Sequence, residues 1–251
     1  METTEYEGGK QMILGIVGSP RKEGLTNQLV TRALEGAKSA GLETKKVHLA
    51  DFQVPFYSEE AKCPQELSRM CEEASALVIG APVYWGDING LSKDFMDIVS
   101  ISNANGKYGL GISIAGGTGK GLCLAVQSIY SFFYHRQIRG IDPTPVSRFN
   151  FEKALKELYV SGKRLAELSQ ETKPFQDLWD RIEHYEKFPH LKHTFLDEIL
   201  LLAEQLIHIS PNKPALAKAR QEYEIAKSLI GEGKRIESAK HAVKAYDILY
   251  F

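Results

Sequence analysis

The stretch Gly15-Ile16-Val17-Gly18-Ser19-Pro20-Arg21-Lys22-Glu23-Gly24-Leu25-Thr26-Asn27-Gln28 decides how this chain is read. Met12 to Val17 is an apolar run with strand character. Beyond the stretch, Leu29, Ala33, Leu34, Ala37 and Ala40 recur at helical spacing until Gly41 ends the pattern. A strand that turns tightly into a helix brings free helix N–H groups, hydroxyls and cations into one small volume, which is an anion site with phosphate as its usual occupant. Ser19, Thr26 and Asn27 offer neutral hydrogen bonds there, and Arg21 offers charge. The alternative is a plain connection with Ser and Thr as caps. Against it stands position, since the first strand-helix junction of an open α/β sheet is a favoured ligand site.

The nucleotide fingerprints fail at named residues. A dinucleotide loop needs G-x-G-x-x-G, and three positions after Gly18 stands Arg21. A Walker loop needs Gly-Lys followed by Ser or Thr; Gly119-Lys120 is followed by Gly121, and Ile114 stands where the motif should begin.

Outward from this stretch, strand and helix alternate. Glu43 to Leu49 has strand character, Asp51 to Ala61 is a loop, and Pro64 to Glu73 is a short helix with Pro64 suited to its first turn. Ala76 to Ala81 is uninterruptedly apolar, as in a strand covered on both faces. A loop from Pro82 to Gly90 leads into a helix over Leu91–Val99. Tyr108 to Ala115 is the next strand, and Gly116 to Gly121 lead into a helix bearing Leu122, Val126, Ile129, Phe132 and Phe133. A short strand with two prolines lies within Gly140–Phe149, and Phe151 to Leu168 is strongly helical. The expected fold is α/β, a doubly wound five-stranded parallel sheet. From Pro174 onward only helices are expected: 175–188, 194–209, and a hairpin of 216–230 with 234–249. In that hairpin the pattern predicts one face of Ala219, Tyr223, Ala226 and Ile230 against another of Ile236, Ala239, Val243 and Tyr246. The division expected is a flexible tail over 1–10, an α/β domain over 11–172 and a helical extension over 173–251.

Ligands of such sheets sit at the carboxyl ends of strands, and the three most unusual loops of this chain all fall there. In Pro82-Val83-Tyr84-Trp85-Gly86-Asp87-Ile88, Pro82 shapes a turn, Gly86 permits close backbone approach, and Tyr84 or Trp85 can wall a flat heteroaromatic ring. The alternative is that both aromatics pack in the core or at a subunit contact. Gly116, Gly117, Gly119 and Gly121 form a loop whose N–H groups can reach a ligand edge.

Two of these loops resemble those of the NADPH-dependent FMN reductase-like flavoproteins of the flavodoxin superfamily: Gly18-Ser19-Pro20-Arg21 followed by Gly24 and Thr26-Asn27, and Pro82 to Ile88. The resemblance spans roughly 12–169. It implies a flavodoxin-like fold in which FMN phosphate is held by Ser19, Arg21, Thr26, Asn27 and Gln28. Pro82, Val83, Tyr84, Trp85, Gly86 and Asp87 would meet the ring and ribityl chain, with Gly116, Gly117 and Gly119 on the far edge. It implies NADPH or NADH as reductant and a small acceptor such as a quinone or a free flavin. No catalytic side chain is required, because the flavin carries the chemistry. Lys120 or backbone dipoles can offset charge on a reduced ring. Family habit implies a homodimer or homotetramer. The alternatives are a flavodoxin-type electron carrier or a redox-responsive flavin-binding module serving a protein partner, although short flavodoxins are acidic and this chain is near neutral. One branch of the family holds an iron–sulfur centre in a compact cysteine cluster. This chain has three cysteines, Cys63, Cys71 and Cys123, too few and too scattered for four thiolate ligands, so no cluster is expected.

Composition agrees. Net charge is −1, which leaves no electrostatic footprint for nucleic acid or an anionic membrane. The apolar run Phe195 to Ile209 is interrupted by Asp197, Glu198, Glu204 and Gln205, so no membrane span is expected. An odd, scattered set of cysteines suits a reducing compartment, and a cytoplasmic location is expected. His135, His184, His190, His193 and His208 show no metal spacing, and no metal site is expected.

Overall fold

The computed structural model describes residues 11–210 and 214–251; the expected tail 1–10 lies outside the described residues. In chain order the elements begin with β1 (Met12–Val17), α1 (Leu25–Ser39), β2 (Glu43–His48), α2 (Gln65–Glu73), β3 (Ala76–Tyr84), β4 (Asp87–Ile88) and α3 (Gly90–Ile98). They continue with β5 (Tyr108–Ala115), α4 (Leu122–His135), β6 (Arg139–Ser147), α5 (Phe151–Leu168), α6 (Leu178–Glu186), α7 (Phe195–Ile209), α8 (Leu216–Gly231) and α9 (Arg235–Tyr250). The sheet order is β2-β1-β3-β5-β6, parallel throughout, with β4 hung antiparallel on β3. This is the flavodoxin-like arrangement. The chain leaves β1 for β2 on one side and reaches β3 on the other, so strand order reverses between β1 and β3.

Strand side chains alternate between two buried faces. Ile13, Val17, Val78, Leu110 and Ile112 pack under α1 and α5, while Leu14, Ile16, Leu77 and Ile79 pack under α2, α3 and α4. Every residue of β5 is buried, as two-sided cover demands. Helices α1 and α5 touch backbone to backbone. A Cβ on Gly36 would lie 2.1 Å from the Tyr159 carbonyl oxygen, and one on Gly162 would lie 1.9 Å from that of Ala33.

Four details depart from the sequence reading. β3 does not stop at Ala81 but runs to Tyr84, and Val83↔Ile88 and Tyr84↔Asp87 pair as a hairpin closed by Trp85 and Gly86. β6 is a full nine-residue strand despite Pro143 and Pro145. It tolerates them because it is the sheet edge, and a register shift places Asp142 at φ 41°. α6 begins only at Leu178, capped by Asp177, whose Oδ1 accepts from Asp180 N at 2.8 Å. Before it, Phe175 N donates to Asn105 Oδ1 (2.9 Å), and Phe175 joins the core beneath α4. The α9 face is also corrected. Ser238, Ala242, Ala245, Tyr246 and Leu249 are buried, whereas Ile236 is 84% and Val243 45% exposed. Small side chains win that interface because they allow close approach: Ser238 Oγ donates to the Ala226 carbonyl at 2.8 Å.

Helices α7 and α9 form a third core with Ala115, Leu122, Cys123 and Phe149, so this part of the chain covers the carboxyl end of β5. α7 starts with a capping box in which Thr194 N donates to Asp197 Oδ2 (2.9 Å).

Candidate functional site

The three loops expected at the sheet edge meet there. In the first, Ser19 is buried and its Oγ accepts from Arg21 N at 3.1 Å, while Gly24 N donates to the Arg21 carbonyl at 3.3 Å. Gly24 is the N-cap of α1; among the described residues no side chain caps it, and the first turn of the helix carries no acidic residue against the positive end of its dipole. Thr26 is buried beside Gly80 of β3. Arg21 and Gln28 are exposed, and Lys22 pairs with Asp51. Asn27 turns its Oδ1 toward Lys46 Nζ (2.7 Å) of β2, which adds a cation that the sequence reading did not include.

In the second loop Trp85 (φ 56°) and Gly86 (φ 92°) both have positive φ, the signature of a type I′ hairpin turn. Glycine suits the second position; tryptophan at the first is strained, and its indole is wholly exposed. Neither Trp85 nor Tyr84, which is also exposed, packs in the core. Pro82 is buried and Val83 half-buried. Asp87 Oδ1 accepts from Ile88 N and from Ser128 Oγ, both at 2.7 Å, and so anchors the hairpin to α4.

Asn89, which the sequence reading passed over, ties the first two loops. Its Nδ2 donates to the Gly18 carbonyl (2.8 Å) and its Oδ1 accepts from Ser92 Oγ (2.7 Å), all buried. Gly18 has no room for a side chain, because a Cβ would lie 1.9 Å from Ser92 Oγ.

The third loop is pinned on one side only. Gly119 N donates to the Gly116 carbonyl at 2.8 Å. A Cβ on Gly119 would strike Leu202 of α7, and one on Gly121 would strike Gly86, which gives both glycines a packing role. Gly116 and Gly117 face open space. Lys120 Nζ lies 5.3 Å from the centre of the Tyr246 ring. Two residues of the C-terminal helices act on this loop: Glu198 accepts from Gly121 N (2.7 Å) and Cys123 N (2.9 Å), and Tyr246 Oη donates to the Thr118 carbonyl (2.9 Å). Their distance along the chain hid both from sequence reasoning.

An uncapped helix end with adjacent cations, an exposed aromatic hairpin and an open stretch of glycine backbone therefore share one edge. That donor set fits a ligand with an anionic tail and a flat ring. A groove of about 670 Å³ between β6, α5 and α7 touches none of the residues expected to bind it.

The chain matches the family model described as NADPH-dependent FMN reductase over residues 12–141. It is 30% identical over 154 residues to an iron-sulfur flavoprotein of Methanocaldococcus jannaschii, covering 55% of this chain and 79% of that one. A second iron-sulfur flavoprotein, from Archaeoglobus fulgidus, is 30% identical over 122 residues, covering 43% of this chain and 56% of the relative. Among solved structures, one described as a flavone reductase superposes with a TM-score of 0.55 at 15% identity, over 66% of each chain, a likeness of fold.

Both relatives are named for an iron–sulfur centre, and the thiols of this chain do not fit one. Burial and then neighbouring Cys63 push the Cys71 thiol up to about 12; burial, Glu198 and Asp197 do the same to Cys123. Cys71 lies on the buried face of α2, and Cys123, in the first turn of α4, has its Sγ 3.3 Å from His193 Nδ1. Among the described residues no group of three or more His, Cys, Asp or Glu could hold a metal. The match from β1 into β6, on this topology, places the chain in the NADPH-dependent FMN reductase family.

Proposed function

We propose that the protein is an FMN-dependent oxidoreductase that takes reducing equivalents from NADPH or NADH and passes them to a small acceptor such as a quinone or a free flavin. The observation that carries this reading is the convergence, at the reversal point of the sheet, of the uncapped α1 N-terminus and the open backbone of Gly116 and Gly117.

The residues divide the task. Ser19, Thr26, Asn27, Gln28 and the N–H groups opening α1 hold the phosphate, with Arg21 and Lys46 supplying positive charge. Pro82, Val83 and Asp87 set the wall along the ribityl chain, and Trp85 and Tyr84 offer the ring a planar face. Gly116 and Gly117 present backbone to the ring's polar edge, and Gly119 holds their turn through its bond to Gly116. Bound there, FMN supplies the hydride and electron exchange between reduced nicotinamide and acceptor. Alignment and stacking are what the protein must provide, so no side-chain acid or base is required.

The test is optical. Purified protein, or protein given FMN, should be yellow with the chromophore identified as FMN by mass, and should bleach anaerobically on addition of NADPH or NADH. A bound flavin that neither nucleotide bleaches would point to an electron carrier or a redox-responsive module. A chain that takes up no flavin would end the reading.

A further inference from the structure

The loop that would meet the polar edge of the ring is held from behind by residues that lie beyond the family-matched segment. Glu198 is 5% exposed, and both of its carboxylate oxygens serve this loop and the helix it opens, one accepting from Gly121 N and the other from Cys123 N. Leu202, one turn further along α7, fills the space behind Gly119. Tyr246, on α9, fixes the Thr118 carbonyl. The opposite side of Gly116 and Gly117 is open.

Resting on the FMN reading above, we propose that the C-terminal helices are an integral part of the cofactor site. Glu198 is a positioning residue that sets the Gly116–Gly121 backbone, so the docking of α7 and α9 and the binding of FMN are thermodynamically coupled. A loop with glycine at 116, 117, 119 and 121 has more backbone freedom to lose on binding than a loop of other residues. Freezing it before the ligand arrives removes that loss from the binding free energy. A buried carboxylate suits the task because its charge is offset by two N–H groups and the positive end of α4, and such charge-assisted bonds are short and directional. Coupling is reciprocal: whatever the extension contributes to FMN affinity, FMN returns to the docking of the extension.

The test uses the full chain. FMN affinity is measured by quenching of flavin fluorescence for the unsubstituted protein, Glu198→Ala, Glu198→Gln and a control, Ser238→Ala. The control loses a buried bond between α9 and α8 that does not touch the loop. Glu198→Ala should weaken FMN binding about tenfold, the worth of a charged hydrogen bond. Glu198→Gln, which keeps one acceptor oxygen, should fall between the two. Ser238→Ala should lower thermal stability and leave FMN affinity unchanged. In the unsubstituted protein, FMN should slow amide exchange across α7 and α9. Unchanged affinity in Glu198→Ala would overturn the proposal. So would an equal weakening by Ser238→Ala at matched stability, since that would be general softening. Should Glu198→Ala fail to fold, exchange in the unsubstituted protein decides, and absence of slowing in α7 and α9 overturns the coupling. No FMN uptake by the unsubstituted protein would instead defeat the functional reading on which this one rests.

Discussion

Trp85 holds a left-handed backbone with a fully exposed side chain, so nothing in the fold compensates its strain. Trp85→Asn places the residue that a type I′ turn prefers before Gly86. Stability should rise by about 1 kcal/mol in urea unfolding, while FMN affinity falls about tenfold as the stacking face is lost. Loss of stability in the variant would refute the strain, and unaltered FMN binding would remove the stacking role. His190 carries a different prediction. Its Nδ1 is buried with no hydrogen-bond partner among the described residues, and burial, then His193, lowers its pKa to about 4 from an ordinary 6.5. The unfolded chain therefore binds a proton that the folded chain refuses. This contribution to stability is intact above pH 6.5 and is lost progressively as pH falls toward 4. His48, His184 and His193 are also held low, burial being the largest cause in each, and act in the same direction. Urea midpoints measured at pH 7 and pH 4.5 should differ less in His190→Gln than in the unsubstituted protein; an equal drop in both would acquit His190. At this scale, residues whose task is local were legible. Gly18, Ser19 and Gly86 announce a turn by their own chemistry. Asn89 and Glu198 did not, because each acts on backbone far away in sequence and only the closed sheet edge brings them there.

Among elements, the α1–α5 contact rests on paired glycines. Alanine has the better helix propensity by about 1 kcal/mol, yet a Cβ at Gly162 would sit 1.9 Å from the Ala33 carbonyl oxygen, and neither backbone can give way without parting the helices. Overpacking should outweigh propensity, so Gly162→Ala and Gly36→Ala should each destabilise by about 1–3 kcal/mol in urea unfolding. A gain in stability from either would show that the helices can slide apart freely. The elements themselves were largely legible. β5 and α5 have the bounds that apolar period and turn residues predict, because two-sided burial enforces an unbroken apolar strand and one-sided burial a stripe. The α9 face was not legible. Size ranks Ile236 and Val243 above Ser238 and Ala242, but the pairing of α8 and α9 is governed by how closely two backbones can approach. Nor was β4, since two residues are too few to show a period, and its pairing depends on a turn that tryptophan would not suggest.

For the whole molecule, the proposed phosphate loop and the proposed ring loops should make separable contributions, and linkage measures them. A ligand that binds only the folded chain raises stability by about 2.7 kcal/mol at a hundredfold excess over its Kd. For a chain of this size that corresponds to a rise in Tm of about 5–10 °C. FMN should produce that rise. Riboflavin has the same ring and ribityl chain without the phosphate, so it loses what the uncapped end of α1, Ser19, Arg21 and Lys46 supply. At equal concentration it should shift Tm by several degrees less. Inorganic phosphate alone should give a small shift, because one anion at an exposed helix end with no ring to desolvate contributes about 1 kcal/mol. Added salt should narrow the gap between FMN and riboflavin by screening the exposed Arg21. Equal shifts from FMN and riboflavin would mean that the Gly18–Asn27 loop does not hold the phosphate. The anion assignment would then fall, while the ring site between the aromatic hairpin and Gly116–Gly117 would still stand.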